Sequence, residues 1–146
     1  MSDDQVFVDT NILVYAHDRD AGDKYRLARE KVKSLWHRPL PPSISTQVLQ
    51  EFYVILIRKR VSAIEARQVA LSYLEWEVID NDRLLLLDGM RIKEKWSLSY
   101  WDALILAAAK RAKAKELWSE DLNPGRRYEG VVVVNPLARA QNAPSD

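Results

Sequence analysis

The sequence predicts an α/β fold, a three-layer α/β/α sandwich around a mostly parallel five-stranded sheet. Short apolar runs, beginning with Val6-Phe7-Val8, alternate with stretches of helical periodicity, the pattern of strands in the middle with helices covering them. The run Val131 to Val134 has no polar alternation at all, as expected of a strand covered on both faces. A chain of 146 residues can bury roughly 68 to 70% of its unfolded surface, enough for one full core. A single domain over residues 1–137 is therefore expected, with residues 138–146, rich in small and polar residues after Pro136, as a disordered tail.

The elements follow in order. A strand from Val6 to Asp9 leads into a short helix. In "DKYRLAREKVKSLWHR" the residues Tyr25, Ala28, Val32, Leu35 and Trp36 recur at helical spacing. "PLPPSIS" stops that helix and admits a short strand around Ser43 to Ser45. "STQVLQEFYVILIRKR" reads as a buried helix, and "VSAIEARQVALSYLEW" as another, opened by Ser62 with Glu65 three residues on, the spacing of a capping box. A strand at Glu77-Val78-Ile79 precedes "NDRLLLLDGMRIKEKW", expected to be helical with an interruption near Gly89. "LSYWDALILAAAKRAKAK" is a strong helix, and the strands "ELWS" and "GVVVVNP" complete the sheet. No internal repeat, linker or low-complexity block occurs.

Composition removes several chemistries. There is no cysteine, which excludes disulfides, thiolate nucleophiles and cysteine zinc sites. No apolar run approaches the roughly 20 residues that cross a bilayer, and the acidic start Met1-Ser2-Asp3-Asp4 is not signal-like, so a soluble cytoplasmic protein is expected, with no membrane partner. The glycines Gly22, Gly89, Gly125 and Gly130 form neither a phosphate-binding loop nor a dinucleotide fingerprint, and no Gly-x-Ser-x-Gly elbow is present. His17 and His37 share no metal-ligand spacing and read as surface residues. Lys and Arg number 22 against 21 Asp and Glu. If four acids form a metal site, 17 remain to face 22 cations, a mildly basic exterior that suits a phosphate-rich ligand.

Four acids stand out by position. Asp9 interrupts the apolar stretch "QVFVDTNILVYA", at the mouth of a core where a bare carboxylate is costly to desolvate. Asp121 follows the "ELWS" strand. If the two strands are neighbours, both acids lie beyond carboxyl ends of strands at the point where strand order reverses, where ligands collect in open α/β sheets. Glu51 falls about 60° from Val48 and about 40° from Ile55 on a helical wheel, at the border of the buried stripe. Asp102 occupies the first turn of a helix among the apolar residues Trp101, Ala103, Leu104 and Ile105.

Each acid also has an ordinary explanation. Asp9 can cap the helix that starts near Ile12, although Thr10 or Asn11 would serve as well. A glutamate at the solvent edge of a helix resembles Glu51. Asp102, three residues after Ser99, fits the second half of a capping box, and Asp121 before Leu-Asn-Pro-Gly fits an Asx-type turn. A site made only of carboxylates selects hard cations, Mg²⁺ or Mn²⁺, over zinc or copper.

The stretches "VFVDTNILVYA", "STQVLQEFYVIL", "LSYWDALILAAA" and "LWSEDLNPG" resemble, in this order and over nearly the whole chain, those of PIN domains, and more narrowly the toxin nucleases of VapBC-type toxin-antitoxin pairs. The resemblance implies that Asp9, Glu51, Asp102 and Asp121 are the catalytic, metal-binding quartet of a PIN-like nuclease domain. It implies that Thr10, Asn11 and Ser119 are supporting polar residues, Thr10 or Ser119 orienting a carboxylate or a water, with Asn123 a weaker candidate.

It further implies an Mg²⁺- or Mn²⁺-dependent hydrolase, an endoribonuclease in which a water attacks the phosphorus of an RNA phosphodiester. A homodimer and a cognate antitoxin that covers the acidic groove are expected with it. The alternative is a module that keeps the PIN fold and binds RNA or a partner without cleaving. Lys110, Arg111, Lys113 and Lys115, and Arg58, Lys59 and Arg60, trail the helices that carry Asp102 and Glu51. They could hold phosphates or simply complement helix dipoles.

Overall fold

A computed structural model describes residues 4–138; the expected disordered tail falls, but for residue 138, outside the described residues. The strands are β1 (Val6–Val8), β2 (Ser43–Ser45), β3 (Glu77–Ile79), β4 (Glu116–Trp118), β5 (Arg127–Tyr128) and β6 (Val131–Val134). The helices are α1 (Thr10–Ala16), α2 (Asp23–Leu35), α3 (Thr46–Arg58), α4 (Ala63–Ser72), α5 (Arg83–Trp96) and α6 (Tyr100–Arg111). They form one sheet in the order β3-β2-β1-β4-β6-β5. All pairings are parallel except β5 against β6. The sheet thus has six strands rather than five. The extra one is a two-residue antiparallel edge, Arg127↔Val132 and Tyr128↔Val131, folded back by the turn at Gly130, whose φ of +86° suits glycine.

Chain direction reverses once. From β1 the connections run outward through β2 to β3, and the chain then crosses to β4 on the other side of β1. Right-handed crossovers place α1 to α4 on one face and α5 with α6 on the other. The switch lies between β1 and β4, paired Val6↔Glu116, Phe7↔Leu117 and Val8↔Trp118. Asp9 N donates to Trp118 O at 2.9 Å and Ser119 N to Val134 O at 3.0 Å, so the residues leaving β1 and β4 stay in register as they enter the loops.

The core is centred on Phe7, Ile12, Leu13, Ile44, Phe52, Leu106 and Leu117, all fully buried. Two expectations change. Helix α3 is amphipathic rather than buried all round: Val48, Phe52 and Leu56 face inward, while Tyr53, Val54 and Ile57 are exposed. In β6 only Val131 and Val133 are buried, Val132 and Val134 being half-buried near the short edge strand. Ser62 caps α4 as expected, its hydroxyl accepting from Glu65 N at 3.1 Å.

Helix α5 is not interrupted at Gly89. The helix continues to Trp96, and a Cβ at Gly89 would meet Leu104 Cδ2 of α6 at 2.8 Å and Tyr100 Cε1 at 3.3 Å. Glycine is there to let α5 approach α6, not to break the helix. Helix propensity alone would make Gly89→Ala stabilising by about 1 kcal/mol. The clash with buried Leu104 reverses the sign, and urea unfolding should show a loss of about 1 kcal/mol or more.

Candidate active site

The four acids come from four elements and line one cavity of about 750 Å³, together with Thr10, Asn11, Gln47 and Trp101. Asp9 steps off the end of β1 and caps α1, its Oδ1 accepting from Thr10 N at 2.7 Å. Its Oδ2 accepts from Ser119 Oγ at 2.8 Å. The same Ser119 hydroxyl accepts from Asp121 N at 3.0 Å, so one buried serine ties the end of β1 to the loop after β4. Asn11 closes the opposite side, donating from Nδ2 to Asp121 Oδ2 at 3.1 Å and accepting from Glu120 N at 3.4 Å.

Glu51 enters from α3, whose start is fixed by the Ser45 hydroxyl accepting from Val48 N at 3.3 Å. Thr10 Oγ1 donates to Glu51 Oε1 at 2.6 Å, and Gln47 Nε2 donates to Glu51 Oε2 at 3.3 Å and to Trp101 O at 3.4 Å. Asp102 enters from the first turn of α6, where Ser99 Oγ accepts from its backbone N at 3.1 Å. The capping explanation of Asp9 is therefore true, whereas α6 is capped by Ser99 and among the described residues no hydrogen bond from the Asp102 carboxylate to Ser99 N completes a capping box; both acids line the cleft.

Charge is concentrated where water is scarce. Asp9 is 6% exposed. Burial pushes its pKa up to about 6, against the hydrogen bonds from Ser119 and Thr10 that favour the anion, and the carboxylates of Glu51 and Asp121 add to the rise. Asp102 is likewise raised, first by burial and then by Asp121 and Glu51, against the hydrogen bond with Ser99. The acids thus feel one another across the cleft. Among the described residues, however, no group of three His, Asp or Glu side chains is placed to hold an ion. Their oxygens are engaged instead by Ser119, Thr10, Gln47 and Asn11. The donor set, anionic oxygen facing a partly dry cavity, fits Mg²⁺ or Mn²⁺, and rotation of carboxylates away from these hydrogen bonds is what would bring it together.

Reading the sequence missed two residues of this cleft. Gln47, one turn before Glu51 on α3, is buried and its Oε1 has no partner among the described residues; its burial, which would have marked it, is not visible in the sequence. Trp101 lines the cleft while 63% exposed, and nothing in its apolar context distinguished it from core. Asn123 belongs elsewhere: its Nδ2 donates to Tyr128 OH at 3.2 Å, and Leu122 and Asn123 both have left-handed φ, +68° and +57°, so it serves the turn. His17 is exposed, yet its ring packs on Phe52 and its Nε2 lies 2.6 Å from Tyr73 OH. Lys110 and Arg111 are committed to ion pairs, with Glu129 and Asp88 and with Asp82.

The model of the PIN domain matches residues 6–129. The chain belongs to the PIN-domain family. No curated protein sequence matches it. Among solved structures, it is similar to a chain of a toxin-antitoxin complex from Klebsiella pneumoniae (TM-score 0.68, 20% identity, covering 90% of this chain and 98% of that one). It is similar to VapC20 of Mycobacterium tuberculosis, a sarcin-ricin loop cleaving toxin (TM-score 0.61, 17% identity, 80% and 90%). DNA-bound VapBC of Salmonella typhimurium is a further match (TM-score 0.63, 17% identity, 88% and 96%). At these identities the likeness establishes the shared PIN fold.

The raised pKa of Asp9 fixes the sign of one pH effect. Its folded pKa lies above the unfolded 3.8, so the cost of its charge is absent below about pH 4, grows from pH 4 to 6 and is complete above pH 6. A rise of about 2 pK units corresponds to about 3 kcal/mol. In chelator, Asp9→Asn should match the wild type near pH 4 and exceed it by up to about 3 kcal/mol at pH 7 in urea unfolding. A loss of about 1 kcal/mol at pH 7 would mark Asp9 as a cap alone.

Proposed function

We propose that this PIN domain is a metal-dependent endoribonuclease and the toxin of a toxin-antitoxin pair. The observation that carries the reading is the meeting of Asp9, Glu51, Asp102 and Asp121 in one cleft at the switch point of the sheet. The solved PIN structures it resembles, toxins and toxin-antitoxin complexes among them, support the biological role.

The four carboxylates would hold the divalent cation, Mg²⁺ or Mn²⁺, which supplies charge neutralisation and Lewis acidity toward a phosphodiester. The chain's own part is positioning. Ser119 and the Thr10 backbone hold Asp9, the Thr10 hydroxyl and Gln47 hold Glu51, and Asn11 holds Asp121, neutral hydrogen bonds that keep the acids directed into the cleft until a cation takes their place. Trp101, exposed on the rim, offers a face for a base. In the overall step water adds to phosphorus, one P–O ester bond breaks, and the departing oxygen takes up a proton.

Exposed apolar faces suit protein partners. Tyr53, Val54 and Ile57 on α3 with Ile64 and Leu71 on α4 border the cleft through Val54, a position from which an antitoxin could cover the acids. Leu84, Leu87 and Met90 on α5 form a separate apolar face that suits a second copy of the chain. Among the described residues no helix is long and apolar enough to cross a membrane.

A second reading, a PIN module that binds RNA or a partner without cleaving, is favoured by one fact: among the described residues no three acids stand close enough together to hold an ion. Metal response separates the two. Cleavage of a mixed RNA pool should vanish with chelator and return with Mg²⁺ or Mn²⁺ but not Ca²⁺, whose larger shell fits octahedral catalytic geometry poorly. Asp102→Asn should lower it by ~100-fold or more. Mg²⁺ at ~100 times its dissociation constant should stabilise the wild type by about 2.7 kcal/mol. Absence of both cleavage and metal stabilisation selects the non-cleaving module. Light scattering should report about twice the 16.9 kDa chain mass; a monomer at micromolar concentration overturns the dimer.

A further inference from the structure

The cleft does not end at the acids. Arg58 and Lys59, at the C-terminal end of α3, line it together with Val14 and Asp18, and these four residues also line a neighbouring cavity of about 440 Å³. That cavity in turn shares His17 and Arg19 with another of about 440 Å³, walled by α2 and the end of α1. Consecutive cavities with shared walls make one path over the surface.

Charge reverses along the path. The cleft has five carboxylates, Asp18 included, against Arg58 and Lys59. The two cavities beyond it have Arg19, Arg29, Lys33, Arg58, Lys59 and Arg60 against only Asp18, Asp20 and Glu65. Asp18 is occupied by Lys59 at 3.0 Å. Among the described residues no carboxylate forms an ion pair with Arg19, Arg29, Lys33, Arg58 or Arg60. This contrasts with the cations of α6, which are spent on Glu129, Asp88 and Asp82. Aromatic rings accompany the free cations. Tyr25, Trp36 and Tyr73 line the last cavity. Trp36 is 42% exposed while its ring is held 5.7 Å from Tyr73 and 5.3 Å from Trp76. A basic groove with one open indole, Trp36, supported from beneath by the buried rings of Tyr73 and Trp76, is the kind of surface that single-stranded nucleic acid uses, phosphates on cations and a base stacked on a ring.

We propose that this basic, aromatic path is a binding surface for single-stranded RNA, which leaves the acidic cleft over Arg58 and Arg60 and is held by Arg29 and Lys33 on phosphates with Trp36 against a base. The inference rests on the RNA reading of the acidic cleft and extends it to residues remote from the acids. It also supplies what the cleft lacks: five carboxylates repel a polyanion, so affinity for a strand has to come from beside them.

The test is binding of a labelled, unstructured 20-nucleotide RNA in chelator, followed by anisotropy across a salt series. The double substitution Arg29→Ala with Lys33→Ala should weaken binding roughly tenfold at low salt and flatten the slope of log affinity against log salt by about 1.4, two phosphate contacts on single-stranded RNA. Removing two exposed cations that line neither cavity, Lys93→Ala with Arg127→Ala, should leave the slope unchanged. Arg60 has a left-handed φ of +69°, so Arg60→Gly should keep or raise the melting temperature while weakening binding, which separates lost contact from lost fold. Equal effects of both double substitutions, or none from Arg29 and Lys33, overturn the path. A wild type that binds RNA through Arg29 and Lys33 but never cleaves with Mg²⁺ or Mn²⁺ keeps the path and removes the nuclease reading.

Discussion

The buried carboxylate of Asp9 is the constraint on which the rest of this structure depends. It sits where two parallel strands end side by side, a place where removal from water raises its pKa to about 6 despite two hydrogen bonds. A fold carries such a group at a cost of about 1.4 kcal/mol per pK unit. The surrounding polar residues are arranged to limit that cost. Ser119 is fully buried with its hydroxyl shared between Asp9 and the Asp121 N–H, Thr10 serves Asp9 with its backbone and Glu51 with its side chain, and Asn11 spans to the loop after β4. Deleting the Ser119 or Thr10 hydroxyl leaves a buried or part-buried carboxylate oxygen without its donor. The site and the end of the sheet are consequently one object, and stability and function pull on the same few hydrogen bonds.

Strands and helices were legible because local pattern and tertiary position agree along most of the chain. The four strands of the sheet's interior and its β3 edge are short and fall where the sequence pattern places strands, and the parallel pairing of β1 with β4 follows from a chain that must return across its first strand. What the pattern hid was set by neighbours. Gly89 is a breaker by propensity, yet its lack of a Cβ serves the approach of α6, a contact that periodicity cannot contain. The apolar residues Tyr53, Val54 and Ile57 made α3 look buried all round, whereas the helix leaves them exposed. The two-residue β5 is too short to have any pattern, and exists because the Gly130 turn folds it onto β6.

The site was legible for a different reason. Acids at strand ends and in first helical turns have local explanations as caps, and here Asp9 does cap its helix while Asp102 lies in a first turn capped by Ser99. Capping and site geometry coincide because both need a carboxylate at a helix N-terminus, where free N–H groups and the helix dipole favour negative charge. Sequence position therefore cannot decide between the two roles; what the fold adds is that the four acids line one cavity. Gln47 escaped notice because a glutamine on an amphipathic helix is unremarkable until its burial and its unpartnered Oε1 are known.

The hydrogen bonds that hold the acids also explain why they stand apart. Four carboxylates in a half-dry cleft repel, so without a cation each one's lowest-energy neighbour is a hydroxyl or amide rather than another acid. For Asp9, Glu51 and Asp121, the residues Ser119, Thr10, Gln47 and Asn11 provide those neighbours at 2.6 to 3.3 Å. Each is a neutral donor, strong enough to fix direction and weak enough to be exchanged for a charge interaction. A donor set of lysines or arginines would have pinned the acids permanently and left nothing for a metal or phosphate to gain. The cations are placed instead at the far end of α3 and beyond, where they can hold a polyanion without quenching the acids. Separation of the two charges along one groove lets a single small domain carry a desolvated acidic cluster beside a surface rich in cations.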